Sequence, residues 1–461
     1  MATYKVTIGL EIHAELQTQT KMFCSCRNDA DEKRPNHNIC PVCMAHPGTL
    51  PVINREAVHK VLLMGQALGS TLADYTEFDR KNYFYPDIPK GYQLSQYAYP
   101  LVSGGSLNSI AITRIHLEED TARSQHTGDK SLVDYNRAGV PLMELVTEPV
   151  IHSAEDAGAF ARELQTLLRT LGAGEANMEK GEMRVEANIS ISATESLGTK
   201  VEVKNLNSFR SVERAIAYEV ARQTKLLESG GKVMQETLGW DEGKQATYVQ
   251  RKKESSHDYR YFPDPDLPKL KVSRIPEFSA EALQKSLPEL PWQKRMRYVV
   301  AGAKPEYAEM FVQDSRFGTL FDAVSGDKAL AANYIGSDLT GLVASRGDEG
   351  LANITPQGLS AMLAAISQGL LSSRGAKDAL ADVFANGGDL AVVIKKYEQQ
   401  SDEGALKLVA QKVLDANPAV AAEYKAGKVS ALQFLVGQGM RESKGTANPE
   451  SLKAIFIDLL T

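Results

Sequence analysis

Residues 9 to 16, Gly-Leu-Glu-Ile-His-Ala-Glu-Leu, alternate apolar and polar side chains. Successive side chains of an extended strand point to opposite faces. Val6, Ile8, Leu10, Ile12, Ala14 and Leu16 then line one face, and Glu11, His13 and Glu15 the other. Two carboxylates around an imidazole repel one another unless a cation or basic group sits among them. Three further stretches repeat the pattern. Arg114–Asp120 closes on Glu118, Glu119 and Asp120, and alternation alone does not say which of them faces inwards. Arg184–Ser190 sets Glu186 and Asn188 against Val185, Ala187 and Ile189, and Lys200–Lys204 sets Glu202 and Lys204 against Val201 and Val203. One acidic strand face is an ordinary solvated surface. Four in one domain, one with a histidine, better suit a hard divalent cation such as Mg2+ held by carboxylate oxygens.

All four cysteines fall within twenty residues: Cys24-Ser-Cys26, then thirteen residues, then Cys40-Pro-Val-Cys43. Two close pairs separated by a loop can set four thiolates tetrahedrally around Zn2+. Two disulfides are the alternative, which a large cytoplasmic chain argues against. A closed four-cysteine site leaves no position for substrate, so this zinc would be structural and pin the loop after the first strand.

Phosphate chemistry requires cationic donors near the acids. Asp79–Pro86 interleaves Arg80 and Lys81 with Tyr83, Phe84 and Tyr85, which suits phosphates and a stacked base, or equally a surface turn with a buried tyrosine. Asn136–Pro141 offers Arg137 at a Gly/Pro turn. The sequence contains neither a P-loop nor a dinucleotide pattern, and no Gly-x-Ser-x-Gly elbow. A nucleotide would have to be held by sheet and metal.

These residues need a frame, and 461 residues is too long for one ordinary domain. Strand-like alternation at 4–16, 110–120, 184–192 and 200–205 mixes with two well-punctuated helices. Ser153 with Asp156 opens one that Gly172 closes; Asn207 or Ser208 opens the other, which Gly230-Gly231 stops. Residues 262–295 are proline-rich and read as a rigid connector. Beyond it the pattern is helical, with Thr355-Pro356 as a cap and breaks at Gly387-Gly388, Asn417-Pro418 and Asn448-Pro449. This predicts an α+β body followed by a helical tail in two parts. Apolar and charged content are those of a soluble globular protein, and no run approaches the roughly 18 apolar residues that span a bilayer. The chain opens on the first strand rather than a basic-then-apolar leader, which predicts a cytoplasmic location. A net charge of −6 neither demands nor excludes a nucleic-acid partner.

Taken together, the motifs resemble the B subunits of the aspartyl/glutamyl-tRNA amidotransferases. The resemblance rests on Gly9–His13, the two cysteine pairs, Phe78–Pro86, His116–Asp120, Val133–Pro141, Lys204–Ser208, Asp258–Pro263 and Lys444–Pro449, and runs essentially end to end. It implies a cradle-like, mostly antiparallel catalytic domain over 1–292 with a zinc-binding insert near 24–43. A helical domain over 293–402 and a YqeY-like helical tail over 403–461 would follow. It implies a heterotrimer with two partner chains, an amidase (glutaminase) and a small third protein. The substrate would be tRNA(Asn) or tRNA(Gln) misacylated with Asp or Glu. ATP and Mg2+ would phosphorylate the side-chain carboxylate, and channelled ammonia would then displace phosphate. By the same resemblance Glu11, His13, Glu118, Glu119, Glu186 and Glu202 surround the metal, with Glu11, His13, Glu119 and Lys204 catalytic. Arg80, Lys81, Tyr83, Arg137 and Asn205 are the expected nucleotide contacts. Residues 403–461 hold seven Lys or Arg against six Asp or Glu, so shape and a few bases (Lys425, Lys428, Arg441, Lys444) are expected to carry tRNA contact there.

Two rival readings follow from the residues themselves. One is a zinc-stapled RNA-binding scaffold whose acids are merely solvated; the other is a metal-dependent phosphohydrolase acting alone.

Overall fold

A computed structural model describes residues 4–251, 259–398, 403–443 and 447–461. The chain forms two compact units, Met1–Pro291 and Trp292–Thr461. The first is α+β and is organised by one large sheet. Its strands run in the spatial order 246–251, 237–241, 201–206, 183–192, 5–15, 141–147, 110–119, 92–95, 79–82 and 262–263. Every neighbouring pair on that path is antiparallel except Val201–Leu206 with Thr237–Asp241, which is parallel.

The period-2 pattern decides which way this sheet faces. Ile8, Leu10, Ile12 and Ala14 are essentially unexposed, as are Ile115, Leu117, Met143, Leu145, Val185, Ala187, Ile189, Val201 and Val203. Each large apolar side chain so buried contributes about 1.5–3 kcal/mol. Three helices, Arg55–Ala67, Ala154–Thr170 and Phe209–Glu228, pack against the strands and cover this face. Their starts are where the capping residues stand: the Asn54, Ser153 and Ser208 side chains accept from the backbone N–H groups of Ala57, Asp156 and Ser211. A slip of one residue in any central strand would put its acids into this core, so the register is strongly specified.

Local irregularity adjusts one edge of the frame. Val185 pairs with Leu206 but Ala187 with Val203, so Lys204 and Asn205 together face Glu186 across a bulge. Asn205 takes the left-handed conformation, φ 65°, which Asn tolerates better than most residues. The extra residue returns Leu206 to the apolar face, where it is buried beside Val185.

The second unit is helical and holds two separate apolar clusters. One spans Tyr298 to Ile394 and includes Phe311, Phe317, Phe321, Met362 and Leu380. Within it, helix Pro356–Ser367 is capped by Thr355 with proline at the first position. The other spans Leu406 to Leu460 and includes Ala410, Leu435, Leu452 and Phe456. Helices Pro418–Lys425 and Pro449–Leu460 both begin at the expected Asn-Pro steps. No helix among the described residues is long and apolar enough to cross a membrane.

Candidate functional site

The face opposite the covered core carries the acids. In the central strands Glu11 pairs in register with Glu186, His13 with Glu144 and with Arg184, and Glu144 with His116. Cross-strand partners share a face, so these side chains converge without any loop bringing them there. Three overlapping groups have their donor atoms within 4.8 Å of one another: Glu11, Glu186 and Glu202; Glu11, His13 and Glu144; and His116, Glu118 and Glu144. His13 Nε2 lies 3.4 Å from both Glu118 Oε1 and Glu144 Oε2. Lys204 Nζ donates to Glu186 Oε2 at 2.6 Å and lies 3.4 Å from Glu202 Oε1.

Electrostatics mark this as a site under tension. Burial, then the charges of Glu144 and Glu186, push the Glu11 carboxyl up to about 7. Burial opposes charging His13, but Glu144, Glu118 and Glu186 outweigh it and raise the imidazole to about 9. Burial would likewise raise Glu144, yet His116 and His13 hold it well below the usual carboxylate range. Burial disfavours the Lys204 ammonium, and Glu186 and Glu202 keep it charged. Among the described residues, three buried polar atoms here have no hydrogen-bond partner: Glu118 Oε2, His116 Nδ1 and Asn188 Oδ1, the last on the residue paired with Glu202. Orphaned oxygens beside crowded carboxylates fit a hard cation with oxygen ligands.

The cysteines form a second group. All four Sγ atoms lie within 4.8 Å of one another, and none is in a disulfide. Zn–S bonds of about 2.3 Å in a tetrahedron require sulfurs about 3.8 Å apart, so the donor set fits zinc. The Cys24 thiol donates to Cys43, which raises Cys24 and pulls Cys43 down to about 5; burial pushes Cys26 up to about 12. The Cys40 N–H also points at Cys43 Sγ, at 3.2 Å.

Comparison with known proteins decides the family. The GatB/GatE catalytic domain matches residues 6–275, and the GatB domain matches residues 317–460. The B subunit of an aspartyl/glutamyl-tRNA(Asn/Gln) amidotransferase from Thermus thermophilus is 43% identical over 99% of both chains. Its counterpart from Carboxydothermus hydrogenoformans is 40% identical over 100% of this chain and 99% of its own. The chain belongs to this amidotransferase B-subunit family. It is therefore part of an enzyme of the ligase class, which removes both the bare RNA scaffold and the solitary phosphohydrolase.

Within this B-subunit frame the expected site residues divide. Glu11, His13, Glu118, Glu186, Glu202 and Lys204 share the polar face. Lys81 joins them: it is in register with Gln93 beside Ser95, which pairs with Glu118, and its ammonium lies 5.0 Å from the Tyr259 ring centre and 5.9 Å from that of Tyr83. Burial works against its charge, and Glu118 sustains it.

Four expected residues lie elsewhere. Glu119 follows Ile115 and Leu117 onto the apolar face, where it pairs with Lys90 and accepts from the Leu94 N–H at 3.0 Å. It lines a cavity of about 180 Å³ together with Cys24, Cys43 and Tyr92. Arg80 is on that face too, held by Asp264 at 2.6 Å and Asp266 at 3.1 Å and lying over the Tyr92 ring. Arg137 donates to the carbonyls of Thr121 and Ala122, and Asn205 is the exposed bulge residue. Alternation sends neighbours to opposite faces, so Glu118 and Lys81 enter the site at the expense of Glu119 and Arg80.

Sequence reasoning missed Glu144 and His116. In Pro141–Thr147 apolar residues flank Glu144 on both sides, so no alternation exposes it. His116 carries a usable signal: it stands two residues from Glu118, and Ile115 and Leu117 fix the opposite face. In the tail, Lys428 pairs with Glu423 at 2.8 Å, Lys425 and Arg441 are exposed, and Lys444 lies outside the described residues, as does Asp258.

Proposed function

We propose that this chain activates and amidates the side-chain carboxylate of Asp on tRNA(Asn), of Glu on tRNA(Gln), or of both. It would act in the cytoplasm within a heterotrimer, beside an ammonia-releasing amidase and a small third protein. The chemistry needs activation because a free carboxylate acylates poorly: its leaving group would be oxide. Transfer of the γ-phosphoryl of ATP to a carboxylate oxygen releases ADP and gives an acyl phosphate. Ammonia then attacks the acyl carbon, the C–O bond to phosphate breaks, and a proton leaves the new amide nitrogen.

The observation that carries the reading is the convergence of Glu11, Glu118, Glu144, Glu186 and Glu202 with His13 and Lys204 on one sheet face. Those carboxylates would hold Mg2+, which when bound offsets the charge of the triphosphate. Lys204 and Lys81 border the acids from two sides and are the ammonium groups placed to meet phosphate oxygens, with Tyr83 beside Lys81. The four cysteines would hold a structural Zn2+. The two separate cores of the helical unit support its reading as two modules, 293–402 and 403–461, the second touching tRNA through Arg441 and Lys425.

The test uses the complete complex with its partners. Glu11→Gln and His13→Ala should cut amidation of misacylated tRNA by more than about 10²-fold, while glutamine hydrolysis by the partner stays measurable. Amidation at the wild-type rate overturns the site assignment.

A further inference from the structure

One carboxylate with no part in the phosphoryl chemistry is wholly buried: Glu219, on helix Phe209–Glu228. A charge so placed persists only when it is paired and hydrogen-bonded. Arg222 grips it with both arms of its fork, Nε to Glu219 Oε2 and Nη2 to Glu219 Oε1, each at 2.8 Å. Gln223, equally buried, donates to Glu219 Oε1 at 2.8 Å and to the Ile189 carbonyl of strand Met183–Ser192 at 3.3 Å. The guanidinium is thereby fixed to the helix and, through Gln223, to the sheet. Its Nη2 reaches on to Glu236 Oε1 at 3.3 Å.

Glu236 stands at the mouth of the parallel junction between Val201–Leu206 and Thr237–Asp241. Its carbonyl accepts from the Glu202 N–H at 3.1 Å, and the next residue, Thr237, is in register with Glu202. The Thr237 hydroxyl, on a residue only 7% exposed, donates to Glu202 Oε2 at 2.8 Å. Lys204 Nζ bonds Glu186 at 2.6 Å and stands 3.4 Å from Glu202 Oε1. The two oxygens of Glu202 therefore have different neighbours. Without the hydroxyl, a flexible Glu side chain beside an ammonium would turn to pair with it, and that ion pair would compete with a cation for the same oxygens. A hydroxyl that holds one oxygen fixes the plane of the carboxylate and leaves Lys204 to Glu186. Groups that hydrogen-bond a metal ligand from behind orient it in this way.

We propose that Thr237 is a positioning residue for Glu202. Anchored through Glu236 and Arg222 to the buried Glu219, its hydroxyl aims the Glu202 carboxylate at the cation and withholds it from Lys204. Thr237 acts through Glu202 alone. The assignment deepens the amidation reading above and rests on it.

Mg2+ binding to the heterotrimeric complex, measured by calorimetry without ATP or tRNA, tests the proposal. Thr237→Val keeps the shape of the side chain and removes the donor, so Mg2+ affinity should fall about ten- to hundredfold. Thr237→Ser keeps the hydroxyl and should retain most of the affinity. Excess Mg2+ should restore amidation in the valine variant, which a defect of folding would not allow. In a Glu202→Ala background, Thr237→Val should change Mg2+ affinity by less than about twofold, because the group it aims is gone. Wild-type affinity in Thr237→Val beside a weakened Glu202→Ala overturns the positioning role, and so does a serine variant as weak as the valine one. Wild-type affinity in Glu202→Ala refutes instead the acid-site reading beneath the proposal, which separates the two failures. Thr237→Ala removes the same donor and is read in the same way if the valine complex does not assemble.

Discussion

The cysteine group and the carboxylate group, the two places where candidate metal donors converge, are assembled in opposite ways. The four thiols come from a single stretch, Cys24 to Cys43, and can find one another before the rest of the chain is ordered. The acids come from strands as distant as Glu11 and Glu202, and meet only when five strands are in register. The soft, closed site follows from spacing; the hard, open one follows from topology. A local staple can hold a loop without caring about the sheet. A site made of sheet register inherits the rigidity of the core beneath it and depends on that core entirely.

The comparison breaks most visibly at Glu144, which belongs to two of the three overlapping donor groups. Glu144→Gln should reduce amidation by more than about 10²-fold without unfolding the sheet. It also removes a carboxylate whose Oε2 lies 3.4 Å from Nε2 of both His13 and His116. Carboxylates raise His13 to about 9, so losing one must lower that value, and NMR titration of the His13 ring should show it falling. An unmoved titration with full activity would mean that Glu144 is a spectator.

The staple should fail differently. Cys40→Ser with Cys43→Ser should abolish zinc binding and expose residues 24–52 to proteolysis. The sheet should still melt cooperatively, because Ile8, Leu10 and Ile12 are buried against helices rather than against that loop. Loss of the whole cooperative transition would show that the two sites are not independent. Chelating Mg2+ should do the reverse, stopping amidation reversibly while the loop stays protected.

Legibility follows the same divide. The cysteine spacing, the apolar and polar faces of Lys5–Glu15 and Met183–Ser192, and the caps at Ser153, Ser208 and Thr355 are local patterns, and each stands in the fold where it is expected. Glu144 is hidden in the sequence because its strand is buried nearly throughout. Arg80 and Lys81 read together as phosphate contacts because Asp79–Asn82 is four residues long, too short for a period to be established among turns. Glu119 needs only that Leu117 be counted with Ile115. Asn205 reads as a ligand contact because a bulge leaves no trace in composition; it exists only relative to the partner strand.

Proton linkage sharpens the contrast on a smaller scale. Glu11 is held near 7, so at pH 6 most of it is protonated and a cation must displace that proton. Mg2+ affinity should therefore rise with pH, about tenfold between pH 6 and pH 8 for this group alone. His13, raised to about 9, must also lose its proton if Nε2 ligates. Calorimetry at pH 6 in buffers of different ionisation enthalpy counts the protons: about one for a carboxylate-only site, about two if His13 joins. A pH-independent affinity would remove Glu11 from the cation's ligands.

The smallest effect concerns the edge of the acid site. Asn205 sits at φ 65°, where a β-branched residue is strained and glycine is not. Asn205→Gly should change stability by a few tenths of a kcal/mol, since it keeps the bulge and costs only chain entropy. Asn205→Val should cost about 1–2 kcal/mol if the bulge persists. If instead the strand slips to relieve the strain, Leu206 leaves Val185 and Lys204 moves away from Glu186, so amidation falls with stability. Thermal melts and KM for ATP read the two outcomes separately. A valine variant that matches wild type in both would show that the bulge plays no part in aiming Lys204, and that even the edge of the acid site rests on side-chain pairing alone.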